Sequence, residues 1–89
     1  MEILHTSCAG LDVHKATVVA CVRRQRSPRR VEQQTRSFGT TTAALLDLAD
    51  WLAEGGVTHV AMESTGVYWK PIWNLLEGLF EMQIGRAHV

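Results

Sequence analysis

Eighty-nine residues carry nine basic and nine acidic side chains, a formal net charge of zero, and 46% of the chain is hydrophobic. These values fit one small soluble domain, which buries about 60–65% of the surface its unfolded form exposes, and they argue against a disordered, collagen-like or disulfide-built chain. A zero balance offers no global attraction to nucleic acid or to a membrane surface.

The zero is a sum of unequal parts. Arg23, Arg24, Arg26, Arg29, Arg30 and Arg36 lie together with Glu32 as the only acid among them, whereas between Asp47 and Glu81 six acids face the single base Lys70. Such a basic cluster suits a solvated hairpin tip as well as a nucleic-acid contact. The N-terminal residues lack the basic stretch of a secretory signal, and no apolar run approaches the ~18 residues of a membrane span. A cytoplasmic protein is expected. Cys8 and Cys21 lack metal-ligand spacing and are expected to be small core residues in a reducing compartment.

Residues 4–13 and 17–23 are β-branched and apolar around His14-Lys15, which predicts a hairpin with a tight turn at 14–15. With that turn Asp12 opposes Thr17, Gly10 opposes Val19 and Cys8 opposes Cys21, all six on one face. The turn lacks Asn-Gly chemistry, so a register slip of one or two residues is allowed. Arg26-Ser27-Pro28-Arg29 predicts a second turn, and Val31 to Phe38 a polar edge strand ended by Gly39. Thr40 to Glu54 predicts a helix capped by Thr40 or Thr41, with Leu45, Leu48, Ala49 and Leu52 on its buried stripe and Gly55-Gly56 as its stop. Val57 to Glu63 has the composition of a buried strand, able to run parallel to the first one because a helix intervenes. A second helix is expected over 67–77, with Pro71 in an early turn, and a further strand starts at Leu79-Phe80-Glu81-Met82. The order predicts a mixed sheet of three antiparallel strands followed by helix, strand and helix.

Two carboxylates stand at the ends of the apolar strands: Asp12 in Gly10-Leu11-Asp12-Val13-His14-Lys15 and Glu63 in Ala61-Met62-Glu63-Ser64-Thr65-Gly66. If the strands are parallel neighbours, both emerge at the carboxyl edge of the sheet, where open α/β folds place their ligands. Converging carboxylates repel, and Mg²⁺ relieves that repulsion while using only one or two protein carboxylates. The structural alternatives are Asp12 as a turn residue and Glu63 favouring the start of the next helix through its dipole.

Gly10-Leu11-Asp12-Val13-His14-Lys15 followed by Met62-Glu63-Ser64-Thr65-Gly66-Val67-Tyr68-Trp69-Lys70-Pro71 resembles the N-terminal domain of a DEDD-type transposase of bacterial insertion sequences, the Piv/MooV-like family numbered one hundred and ten. The resemblance covers about residues 8–82. It implies an α/β fold of the ribonuclease-H-like (RuvC-like) kind, incomplete at its C-terminus here, in a protein that binds DNA and catalyses metal-dependent strand cleavage and transfer during transposition. It implies Asp12 and Glu63 as catalytic residues and metal ligands, the first D and the E of DEDD, with Mg²⁺ or Mn²⁺ as cofactor in the full-length parent. The two further aspartates, and a second domain carrying a serine nucleophile, belong to segments beyond this chain. The fragment alone is therefore expected to be inactive. The family also implies a structured guide RNA and a homo-oligomeric parent, which makes Lys15, Arg23, Arg24, Arg26, Arg29 and Arg30 candidate backbone contacts. Residues 83–89, Gln83-Ile84-Gly85-Arg86-Ala87-His88-Val89, look like the translation of a short-read sequencing adapter, with a divergent strand end as the alternative.

The remaining candidates have ordinary structural readings. His14 and Lys15 fit either phosphate contact or an exposed turn, and His5, His59 and His88 are read as structural. Trp69 and Trp73 are assigned to the core, and Ser64 and Thr65 to helix capping rather than to nucleophilic catalysis. Two other functions compete. One is a non-catalytic nucleic-acid-binding module built on the arginine hairpin. The other is an actin-like ATPase fragment, although Val13-His14-Lys15-Ala16 lacks the glycines of a phosphate cradle.

Overall fold

Strict alternation of buried and exposed residues along Ser7–Val13 fixes which side of that strand meets the core. The computed structural model describes residues 7–86. Its elements are β1 (Ser7–Val13), β2 (Val18–Ser27), β3 (Arg30–Phe38), α1 (Thr42–Glu54), β4 (His59–Ser64), α2 (Trp69–Leu76) and β5 (Glu81–Arg86). The five strands form one mixed sheet in the order β3-β2-β1-β4-β5. β1, β2 and β3 pair antiparallel, and β4 runs parallel to β1 and β5 to β4. This is the predicted order. The expected start of the first strand at Leu4 lies outside the described residues.

One face of the sheet supplies Leu11, Val13, Val18, Ala20, Val60 and Met62 to a single core. Leu45, Leu48, Ala49 and Leu52 of α1 and Ile72 and Leu76 of α2 close over it, so both helices lie on that face. Thr41 is the N-cap of α1, its side-chain oxygen accepting from the Ala44 N–H at 3.2 Å. Gly56 follows the helix at φ +72°, a conformation that favours glycine. The opposite face of the sheet carries Cys8, Gly10, Asp12, Cys21, Ala61 and Glu63, and no described helix covers it.

Three expectations are corrected. The β1–β2 register is displaced by two residues, with Asp12 opposite Val19, Gly10 opposite Cys21 and Cys8 opposite Arg23. The connection spans 14–17 and is closed by the His14 N–H donating to the Thr17 carbonyl at 2.8 Å. The favoured two-residue hairpin turns require positive φ, and no described non-glycine residue adopts it. A slip of two leaves each side chain on its expected face. β2 also continues to Ser27 rather than ending at Arg23, because backbone pairing with β3 holds the arginine segment in the sheet, with an irregularity between Gln25 and Ser27. Finally, Cys8 is exposed and Cys21 only half-buried, since both fall on the uncovered face.

Leu48 is fully buried beneath the sheet and Leu46 is 49% exposed on the same helix. Leu48→Ala should lower stability by about 2–5 kcal/mol and Thr41→Ala by about 1 kcal/mol. Leu46→Ala should leave the urea midpoint almost unchanged.

Candidate functional site

Leu11, Val13 and Met62 point into the core, and alternation therefore turns Asp12 and Glu63 outward onto the uncovered face. The parallel register places them side by side, Asp12 opposite Glu63, each one residue before the end of its strand. Neighbouring strands lie about 4.8 Å apart. Gly85 is the register partner of Glu63 on the other side, and a Cβ there would meet the Glu63 Cγ at 3.8 Å. The carboxylates thus occupy a row running from Val19 through Asp12 and Glu63 to Gly85.

The structural alternatives for these acids find no support in their contacts. The Asp12 carboxylate meets the His14 imidazole, Oδ2 to Nε2 3.2 Å, and both side chains are at least half exposed. Among the described residues it makes no bond to the turn backbone, and Glu63 makes no ion pair. α2 begins at Trp69, too far along the chain for Glu63 to lie in its first turn. Two adjacent, solvated carboxylate groups, with only the His14 imidazole beside one of them, fit a hard divalent cation, which accepts one or two carboxylates and completes its shell with water. No group of three or more His, Cys, Asp or Glu side chains able to hold a metal occurs among the described residues.

The basic candidates separate into distinct environments. Lys15 is exposed in the 14–17 turn, where its carbonyl accepts from the Thr40 hydroxyl at 3.4 Å. Arg23 is exposed on the uncovered face, in register with Cys8, which is itself in register with His59. Alternation sends Arg24, Arg26 and Arg36 to the other side, and each is engaged there. Arg24 donates to the Gly55 carbonyl at the end of α1, Arg26 Nε donates to Glu32 Oε1 at 2.8 Å, and the Arg36 guanidinium lies 4.9 Å from the Phe38 ring centroid. Arg29 occupies the exposed turn between β2 and β3, and Arg30 reaches within 3.9 Å of Glu32. The Arg26 hydrogen bond holds the Glu32 carboxyl below its ordinary value, and the positive charges of Arg26, Arg30 and Arg24 act in the same direction.

Trp69 and Trp73 pack against the core as expected, their rings edge-to-face at 6.1 Å, and the Trp73 indole N–H donates to Glu77. Pro71 sits in the first turn of α2, also as expected. The capping role expected of Ser64 and Thr65 is not found. Tyr68 is the N-cap of α2 without a side-chain bond, and the Ser64 hydroxyl donates to the Thr65 carbonyl, because the loop to the helix is longer than predicted. His59 is exposed, with its Nδ1 2.8 Å from the Thr58 hydroxyl, while His5 and His88 lie outside the described residues. The neighbour relation of Gly85 to Glu63 had no signal in the sequence, since it depends on the β4–β5 register.

Residues 9–83 match the IS110-type DEDD family, described as a transposase. No curated protein matches the chain. Among solved structures, the chain is similar to a Ppx/GppA family member from Aquifex aeolicus, with a TM-score of 0.58 and 8% identity over 93% of this chain and 36% of that one. A second study of the Aquifex aeolicus PPX-GPPA enzyme gives 0.58 and 10% identity over the same shares. The type II variant of the Aquifex aeolicus Ppx/GppA phosphatase gives 0.56 and 8% identity, over 91% of this chain and 36% of that one. At these identities the likeness concerns the fold. The chain spans about a third of the length of these structures. No helix among the described residues is long and apolar enough to cross a membrane.

The Glu32 carboxyl should titrate below the ordinary carboxylate range and return toward it in Arg26→Ala, as read by side-chain NMR across a pH series. Because its folded value is lowered, the stabilisation is present above the unfolded pKa and is lost as pH falls through the folded one.

Proposed function

The chain belongs to the IS110-type family of DEDD transposases, and from that membership we propose that it is the first part of a ribonuclease-H-like (RuvC-like) domain for DNA strand cleavage and transfer. The observation that carries this reading is the pairing of Asp12 with Glu63 on adjacent parallel strands, both turned outward. In this reading the two carboxylates hold Mg²⁺ or Mn²⁺. A divalent ion bound there supplies activation of an attacking oxygen and stabilisation of a leaving oxygen at a phosphodiester. His14 orients the Asp12 carboxylate through the 3.2 Å contact, and Lys15 lies in the adjacent turn where a phosphate can be met. Two more aspartates are expected from downstream family segments, so the 89-residue chain supplies half the acidic set and is inactive alone. DNA, a structured guide RNA and further copies of the parent are its expected partners. The adapter-like reading of residues 83–89 is set against a family match that includes Gln83 and a strand β5 that holds residues 83–86 in register with β4.

The fold likeness to a Ppx/GppA phosphatase favours a second reading, phosphatase chemistry at the same edge. The 14–17 turn weighs against it. That turn uses the His14 N–H for its own closure and contains no glycine to cradle a phosphate.

Mn²⁺ should broaden NMR signals around Asp12 and Glu63 and leave the hairpin tip sharp, an effect lost in Asp12→Asn and in Glu63→Gln. Unchanged broadening in both variants would remove the site. Mg²⁺-dependent DNA cleavage by the isolated chain, abolished by Asp12→Ala, would overturn the claim that it is inactive alone.

A further inference from the structure

The two edges of the sheet differ. β5 is six residues long, whereas β3 is nine, is exposed from Arg30 to Ser37 apart from half-buried Glu32, and has no described element beyond it. Edge strands are normally blunted by short length, lysine, proline or a bulge. β3 contains neither lysine nor proline, and the irregularity of its pairing with β2 lies near the hairpin tip, between Gln25 and Ser27. The stretch from Glu32 to Ser37 is thus a regular strand with one side open.

The open main-chain groups can be named. The His14 bond to the Thr17 carbonyl flanks the Val13–Val18 pair, which makes Asp12–Val19 and Gly10–Cys21 the hydrogen-bonded pairs of β1 and β2. Main-chain groups alternate in direction along a strand, so Ala20 and Val22 bond β3, through Arg36 and Gln34. The N–H and C=O groups of Gln33 and Thr35 then point to the open edge. Gln34 is the midpoint of β3. Antiparallel pairing of β3 with a second β3 about that midpoint overlaps all nine residues and sets Gln33 against Thr35, a pair that exchanges two backbone bonds.

Charge selects the same register. About Gln34 as centre, Glu32 of each copy stands opposite Arg36 of the other, twice by symmetry, on the helix-bearing face. Moving the centre to Gln33 sets Arg30 against Arg36, and moving it to Thr35 sets Glu32 against Phe38. Opposite charges directly across a strand pair stabilise it and like charges oppose it. Arg36 is available for this contact, since it touches the Phe38 ring and no carboxylate among the described residues.

We propose that β3 is the docking edge for a second copy of this chain, joined antiparallel about Gln34 with paired Glu32–Arg36 crossings. The two-fold axis is perpendicular to the sheet, so the helices of both copies lie on one face of the joined sheet and both Asp12–Glu63 pairs on the other. This gives the copy-to-copy contact expected under the proposed function a place and a register, and it does not depend on the chemistry at Asp12 and Glu63.

The test is sedimentation equilibrium of the 89-residue chain over a concentration series, with urea unfolding to check that each variant is folded. The parent chain should show a monomer–dimer equilibrium. Glu32→Arg and Arg36→Glu should each raise the dimer dissociation constant about tenfold, the effect of turning two opposite-charge crossings into like-charge ones. An equimolar mixture of the two variants should dimerise as the parent does, because both crossings are again of opposite charge. Arg26→Ala, which removes the partner of Glu32 within the chain, should leave dimerisation unchanged. Thr35→Pro should abolish it, since proline removes an N–H that faces the partner and none that β2 uses. A parent chain that stays monomeric up to its solubility limit overturns the proposal. So does association that survives Thr35→Pro, which places the contact at β5 or on the uncovered face, or a mixture of the charge variants that fails to recover. None of these outcomes touches the Asp12–Glu63 reading, which the Mn²⁺ broadening decides separately.

Discussion

The parallel pairing of β1 with β4 is the constraint on which the rest of the structure depends. Two backbone hydrogen bonds set its ends, Thr58 N–H to the Ser7 carbonyl at 3.1 Å and Thr65 N–H to the Val13 carbonyl at 3.3 Å. Between them Leu11 and Met62 are register partners and almost fully buried, so the core fixes the pairing from below. Shifting either strand by one residue would exchange its faces. It would carry a carboxylate under the helices, where an unpaired charge is strongly unfavourable, and expose an apolar side chain in its place. Packing and acid placement are therefore one property of the two strands. The same join extends outward, because the Glu81 N–H bonds to the Thr58 carbonyl and starts β5 in step with β4.

The basic cluster shows how much a local charge count conceals. Arg24 reaches from β2 to the last turn of α1, where helix carbonyls lack intrahelical partners and the dipole favours a cation. The Ser7 hydroxyl donates to the same Gly55 carbonyl at 3.0 Å. Two strands and a helix end thus meet at one oxygen. Arg26 and Arg36 are likewise held by contacts on the helix-bearing side of the hairpin. Half of the arginines between 23 and 36 therefore serve the fold directly.

Much of the architecture was legible because the deciding signals are local. The α1 stripe of Leu45, Leu48, Ala49 and Leu52 is the buried set, and Thr41 and Gly55 bound the helix near the predicted ends. The apolar run containing Glu63 is the inner parallel strand. Register was less legible. The β1–β2 pairing depends on the length of the 14–17 loop, and its residues give only weak turn preferences. The length of β2 was obscured by its arginines, which lack apolar alternation yet pair through the backbone with β3. Cys8 and Cys21 were misplaced for another reason. Small apolar residues normally mark a core, and here they line a sheet face without a described helix above it. The adjacency of Asp12 and Glu63 was foreseeable because both are near the ends of strands separated by one crossover.

The small residues at the centre of that face have a consequence for solubility. Gly10, Ala61 and Cys21 form a low-polarity patch, with Asp12 and Glu63 on one flank and Arg23 on the other. A small apolar patch bordered by charged side chains is tolerated in water, and Asp12, Glu63 and Arg23 form that border here.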